Sequence, residues 1–220
     1  MVYLRNCVSM PKSIDNLLKG TLKFREEDFN NLQHIYEKLK DKQSPHTLFI
    51  GCSDSRVIPN LITKTLPGEL FVVRNIANIV PPYRVAKDYA GTTAAIEYAV
   101  NVLNVENIVV CGHSNCGGCK TLLQGFQQLN DLPNIREWLK ISACIIDEIK
   151  KIEVHHEEYL QLFVEQMNIV CQLKNLLTYP YIRERYKEKK LNLLGWHYII
   201  STGEIYAYNF EKQKFEPLNF

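Results

Sequence analysis

A chain of 220 residues with 46% apolar and 23% charged side chains has the composition of an ordinary folded protein, long enough to bury one large core unaided. A formal net charge of +2, with Lys and Arg spread along the sequence, gives no footing for a nucleic-acid partner. No stretch approaches the roughly 18 uncharged apolar residues of a membrane span, and "MVYLRNCVSMPKS" lacks the apolar core of a secretion signal, so no membrane partner and a cytoplasmic location are expected.

Residues 1–25 carry no strong pattern and read as an N-terminal arm, free to wrap another subunit. Over 26–41, Phe29, Leu32, Ile35, Tyr36 and Leu39 fall on one helical stripe. "HTLFIG" is a short strand, and "ELFVVRN" a second whose continuous apolar run suits cover on both faces. "DYAGTTAAIEYAVNVL" reads as a helix of small residues lying close on a sheet. "NIVVCGH" is a third strand, and "CGGCKTLLQGF" opens a helix. "IREWLKISACIIDEIKKI" and "YLQLFVEQMNIVCQLKNLL" are two long amphipathic helical patterns, packed on each other or on a partner. "LLGWHYIISTGEIYAYNF" resembles two strands joined at Thr202–Gly203. Strands alternating with helices predict an α/β fold: a mostly parallel central sheet flanked by helices, one domain over 1–220 with a helical extension over 130–190.

Seven cysteines, an odd count at irregular spacing, argue against a disulfide framework. Cys144 and Cys171 sit in apolar helical runs and read as buried filler, and Cys7 is uninformative. Cys52 ends one strand, His113 ends another, and Cys116 opens the next helix. Ligands gather outside the carboxyl ends of parallel strands, so neighbouring strands would bring these three side chains to one crevice. Two thiolates and an imidazole suit Zn²⁺ and leave a fourth position open.

Two other assignments fit the same residues. Cys116 and Cys119 have the C-x-x-C spacing of a redox pair at a helix start, and Cys52, His113, Cys116 and Cys119 could close a structural Cys₃His site. The open site is preferred because it alone gives Asp54 and Arg56 a role. There Asp54 would accept a hydrogen bond from zinc-bound hydroxide, and Arg56 would keep the carboxylate ionised by a two-point contact. The backbone N–H groups of Gly117 and Gly118 would favour an anion beside the metal.

With these residues in place, the sequence resembles the β-class carbonic anhydrases. The likeness rests on "CSDSR" (52–56), "GHSNCGG" (112–118) and the intervening "PGELFVVRNIAN" (67–78), and spans about residues 20–125, more loosely through "GWHY". It implies one Zn²⁺ per chain on Cys52, His113 and Cys116, with Asp54 and Arg56 as the catalytic dyad and Asp54 an alternative fourth ligand in a resting form. It implies reversible hydration of CO₂ to bicarbonate and a proton by attack of zinc-bound hydroxide, with Gly117 offering its N–H to substrate. The plant-like type with an accessible zinc lines its CO₂ pocket at the positions held here by Gln43, Phe71 and Tyr98. The bicarbonate-regulated type carries a tryptophan where this chain has Phe49, although its arginine is matched by Arg74. The family pairs into dimers with sites near the interface, so a homodimer or homotetramer is implied, with part of the pocket lining from the neighbouring chain.

The proton shuttle is not legible: His34, His46, His155, His156 and His197 qualify by residue type alone. Two rival functions share the ligand set, a carbon disulfide or carbonyl sulfide hydrolase and a non-catalytic sensor of inorganic carbon. Asp54 and Arg56 speak against the second, since a binding-only site needs no oriented hydroxide.

Overall fold

The structure is a computed structural model that describes residues 11–84, 90–142, 144–149 and 156–219. Cys7, His155, Asp88 and Tyr89 lie outside the described residues, as does the side chain of Cys144. The chain divides between Gln43 and Ser44 into two compact units.

The first unit is helical. α1 (Lys12–Lys23) and α2 (Phe29–Leu39) are joined by a π-helical turn, Phe24–Asp28. In α2 the expected stripe, Phe29, Leu32, Ile35, Tyr36 and Leu39, is half-buried while the intervening residues are exposed. Phe29 stacks on Tyr36 with ring centres 5.3 Å apart. α1 stands where no pattern was read. Pro11 precedes its first turn, where a missing N–H costs nothing, and Asp15 pairs with Lys19 one turn on at 2.8 Å. Its apolar residues Ile14, Leu17, Leu18 and Leu22 keep helical spacing, yet all are exposed, so no burial marks them as a face.

The second unit is a six-stranded sheet in the order β2-β1-β3-β4-β5-β6. β1 (Thr47–Cys52), β2 (Leu70–Asn75) and β3 (Asn107–His113) match the expected strands within a residue or so. β4 (Asn192–Tyr198) extends the parallel set, and β5 (Ile205–Asn209) and β6 (Lys214–Pro217) complete the sheet antiparallel. β6 escaped the sequence reading, being four residues with charge at two of them. β2, expected to be covered on both faces, is an edge strand with Val72 39% exposed; an apolar run does not say which neighbour covers it.

Around the sheet lie α3 (Pro59–Thr63), α4 (Ala90–Glu97, continued by a π-helical turn through Val102), α5 (Gly117–Gln124), α6 (Pro133–Leu139), α7 (Cys144–Ile149), α8 (Glu157–Leu176) and α9 (Pro180–Lys187). The pattern from Ile135 to Ile152, expected as one helix, is broken between α6 and α7. The buried Ser142 lies at the break, its hydroxyl bonded to Asn168 (3.1 Å) and Gln172 (2.9 Å) of α8, and this tertiary anchor overrides local periodicity. Among the described residues no helix is long and apolar enough to cross a membrane.

α8 lies across β3 and β4, and Ile169, Leu173 and Leu176 join Leu48, Ile50, Ile108 and Val110 in the main core. The approach is close because Gly112 and Gly195 face Ile169. A Cβ on Gly112 would stand 2.8 Å from Ile169 Cγ1, and one on Gly195 would stand 2.8 Å from Leu173 Cδ1 and 2.9 Å from Ile169 Cγ2. Gly195→Ala is therefore expected to lower stability by about 1–3 kcal/mol through overpacking, read as a lower urea midpoint at unchanged slope; an unchanged midpoint would mean that α8 is not held at this distance.

Candidate metal centre

β1 and β3 run parallel as immediate neighbours, from Thr47 opposite Asn107 to Gly51 opposite Cys111, so their carboxyl ends stop side by side at Cys52 and His113. The chain then reverses through Asn115, whose φ of +57° is a left-handed conformation that asparagine tolerates. Cys116 follows in extended conformation as the N-cap of α5. The sulfurs of Cys52 and Cys116 and a ring nitrogen of His113 come within 4.8 Å of one another, all three residues being buried.

The imidazole is oriented for ligation. His113 Nδ1 lies 3.0 Å from the Ser114 carbonyl oxygen, to which it must donate, so Nε2 keeps its lone pair. Nε2 is buried and has no hydrogen-bond partner among the described residues, a costly state that a cation would relieve. Two sulfurs and this nitrogen form a donor set suited to a borderline-soft tetrahedral cation. The thiols hold their protons without one. The neighbouring Cys116 thiol, with burial, pushes the Cys52 thiol up to about 12, and Cys116 is raised by the Cys119 thiol beside it and by burial.

Asp54 stands beside this group, its Oδ2 3.9 Å from His113 Nε2. Arg56 donates to it three times: main-chain N–H to Oδ1 at 3.0 Å, Nε to Oδ1 at 2.9 Å and Nη2 to Oδ2 at 2.8 Å. These bonds hold the carboxyl well below the usual carboxylate range. Arg56 Nη2 also reaches the Asn115 carbonyl at 3.3 Å, linking the loop after β1 to the loop after β3. Arg74 donates to the carbonyls of Cys52 (2.9 Å) and Asp54 (2.6 Å), so its guanidinium is committed to this loop.

Gly117 opens α5 with free space where a Cβ would stand, whereas a Cβ on Gly118 would meet Ala77 Cβ at 2.8 Å. The first glycine leaves room for a small molecule and the second permits packing. Phe71 and Tyr98 pair with each other, ring centres 5.9 Å apart, and Tyr98 is 44% exposed. They are not with the ligands: Phe71 lies opposite Leu48, four positions and so about 13 Å before the Cys52–Asn75 pair. Gln43 is exposed at the end of the first unit. Phe49 is buried with Val109 and Cys111 and packs edge-on against Trp196 at 6.3 Å. Cys119, buried next to Cys116, is outside the three converging atoms. Of the histidines named as shuttles, His34, His46 and His156 are exposed and His197 is wholly buried.

Sequence reasoning missed the group behind Cys116. Glu165 Oε1 accepts from the Cys116 N–H at 3.0 Å and from Gln161 Nε2 at 2.6 Å, and Oε2 lies 3.0 Å from His197 Nε2. The signal was present. Glu165, Asn168 and Gln172 recur at helical spacing inside an apolar helix, and all three are buried.

The family model described as carbonic anhydrase matches residues 47–205. A carbonic anhydrase of Helicobacter pylori (strain J99) is 44% identical over 207 residues, covering 90% of this chain and 92% of its own. Among solved structures, the β-carbonic anhydrase CcaA superposes with a TM-score of 0.90 at 41% identity, over 96% of this chain and 94% of that one. A β-carbonic anhydrase of Sordaria macrospora, described as tetrameric, gives a TM-score of 0.73 at 30% identity, over 96% and 98%. The sheet that carries this cysteine–histidine metal group is thus shared with relatives along nearly its whole length, and the chain belongs to the β-carbonic anhydrase family, enzymes whose general reaction is the hydration of CO₂.

Proposed function

We propose that the chain hydrates CO₂ reversibly at a zinc ion held by Cys52, His113 and Cys116, with Asp54 and Arg56 as the catalytic pair. The observation that carries this reading is the unpartnered His113 Nε2, buried between two sulfurs with the Asp54 carboxylate 3.9 Å away. When bound, such a cation supplies a water ionised near pH 7 as the nucleophile.

The chain's own residues do the rest. The Ser114 carbonyl holds the imidazole with Nε2 inward. Asp54, kept ionised by Arg56, accepts the proton of the reacting water in a hydrogen bond and so turns its lone pair toward CO₂. Gly117 leaves room for substrate at the first turn of α5, where backbone N–H groups favour the anionic product. Asp54 is engaged by Arg56 and stands outside the three converging ligand atoms, which supports an accessible site over the resting form with Asp54 as fourth ligand. Phe49 against Trp196, and the commitment of Arg74 to main-chain carbonyls, support the same choice over bicarbonate regulation.

The apolar lining comes from a second copy in this reading. Phe71 is too far along β2 to serve its own ligand group and Tyr98 packs against it, while β2 is an edge strand and Val72 and Tyr98 are exposed. A homodimer, or a homotetramer built from dimers, would bring that pair to a neighbouring site.

Stopped-flow CO₂ hydration across about pH 6.5–9, on protein of measured zinc content, tests the function. Turnover through the whole range is expected, and activity confined to the alkaline end would instead put Asp54 on the metal. Asp54→Ala should lower kcat/KM by about 10²–10⁴-fold while zinc content stays at that of the parent; unchanged turnover would remove Asp54 from the mechanism. Because the free thiols are neutral at pH 7, zinc loading should release about two protons per ion and weaken as pH falls, measurable by calorimetry in buffers of different ionisation enthalpy. Release near zero would exclude thiolate ligation.

A further inference from the structure

A carboxylate in the middle of a helix and only 2% exposed calls for a reason, because burial of an ionised group is costly unless donors surround it. Glu165 has three. The Cys116 N–H (3.0 Å) and Gln161 Nε2 (2.6 Å) share Oε1, and His197 Nε2 faces Oε2 at 3.0 Å. An ionised carboxylate only accepts, so His197 carries its proton on Nε2. Its Nδ1 is buried with no partner among the described residues. Gln161 also donates to the Cys116 carbonyl at 3.3 Å, so both main-chain polar groups of this one cysteine are tied to the same turn of α8.

The group adds a polar link among three elements that already pack together: α5 through its N-cap, α8 through Gln161 and Glu165, and β4 through His197. Cys116 has no side-chain capping bond at the head of α5, since its sulfur is turned to the ligand group. The Glu165 carboxylate instead takes the N–H of the N-cap residue itself, the donor that the reciprocal carboxylate of a capping box would take. The Cys116 C=O also takes the first bond of α5, from the Lys120 N–H at 2.9 Å, so the N–H, next to the left-handed Asn115, is the main-chain group that only α8 holds, and the direction of the sulfur depends on it.

We propose that Glu165, clamped by His197 and assisted by Gln161, is a positioning residue that aims the Cys116 sulfur at the metal. The inference rests on the zinc reading above. It assigns α8, whose apolar residues build the core, a second task, which is to set metal affinity from behind the ligand.

Zinc affinity of the full chain, by competition with a chromophoric chelator, and the thiolate-to-metal absorption of the Co²⁺-substituted protein provide the test. Glu165→Ala is expected to weaken zinc binding by about 10–100-fold and to diminish the Co²⁺–thiolate band. Glu165→Gln should recover most of the loss. Its amide oxygen can accept the same N–H, and its NH₂ can face His197 once that ring moves its proton to the unpartnered Nδ1. Wild-type affinity in Glu165→Ala would overturn the proposal, as would a Glu165→Gln no better than Glu165→Ala. Should Glu165→Ala fail to fold, His197→Ala carries the test: a smaller loss in the same direction supports the clamp, and unchanged affinity overturns it. A wild-type protein that binds no zinc would fail the metal reading itself, whereas tight wild-type binding with indifferent variants fails this inference alone.

Discussion

Parallel pairing of β1 with β3 is the constraint on which the ligand group depends. Cys52 and His113 are far apart in sequence and meet only because two strands of similar length run in the same direction and stop together. The register is held by burial on both faces. Leu48, Ile50, Ile108 and Val110 enter the core under α8, while Phe49, Val109 and Cys111 form the cluster on the other face. A slip of one residue would exchange the two sets, so the core that stabilises the sheet also holds the ligands level.

Around that pairing, polar groups tie down what strands cannot. The loop after β1 is stitched by two arginines, Arg74 to its carbonyls and Arg56 to Asp54 and across to Asn115. The same contacts that order the loop keep the carboxylate ionised, so a structural bond and an electrostatic requirement are met by one side chain. Behind the ligands, α8 presents a buried polar row. Asn168 donates to the Ala77 carbonyl, Gln172 accepts from the Val80 N–H, and Glu165 takes the Cys116 N–H. Each satisfies a main-chain group of a loop, a short 3-10 turn or a helix cap, and such groups cannot be left unpaired when buried. The Gly112–Ile169–Gly195 contact brings α8 close enough to the sheet to do this.

Much of the site was legible because its chemistry belongs to residue types at strand ends. Cysteine, aspartate and arginine directly after an apolar strand need a common explanation, and a second strand ending in histidine followed by cysteine supplies one. The misses have specific causes. Glu165 lies in a run that periodicity reads as ordinary amphipathic helix. His197 is one histidine among several until its burial is known. The place of Phe71 is a different matter: register puts it about 13 Å from its own chain's ligand level, a distance that no apolar run announces. α1 kept a helical pattern that went unread, and the break at Ser142 answers to partners on α8 rather than to its neighbours.

By itself the sequence determined the donor set, the strands that end in it and the class of cation they suit. These follow from side-chain chemistry and from apolar runs whose periods are local properties of the chain. Tertiary structure alone decided which strand is an edge, how far Phe71 lies from the ligand level and which buried carboxylate backs Cys116. Those are matters of register and of hydrogen-bond partners more than twenty residues apart, and only the packed sheet and α8 bring such partners together.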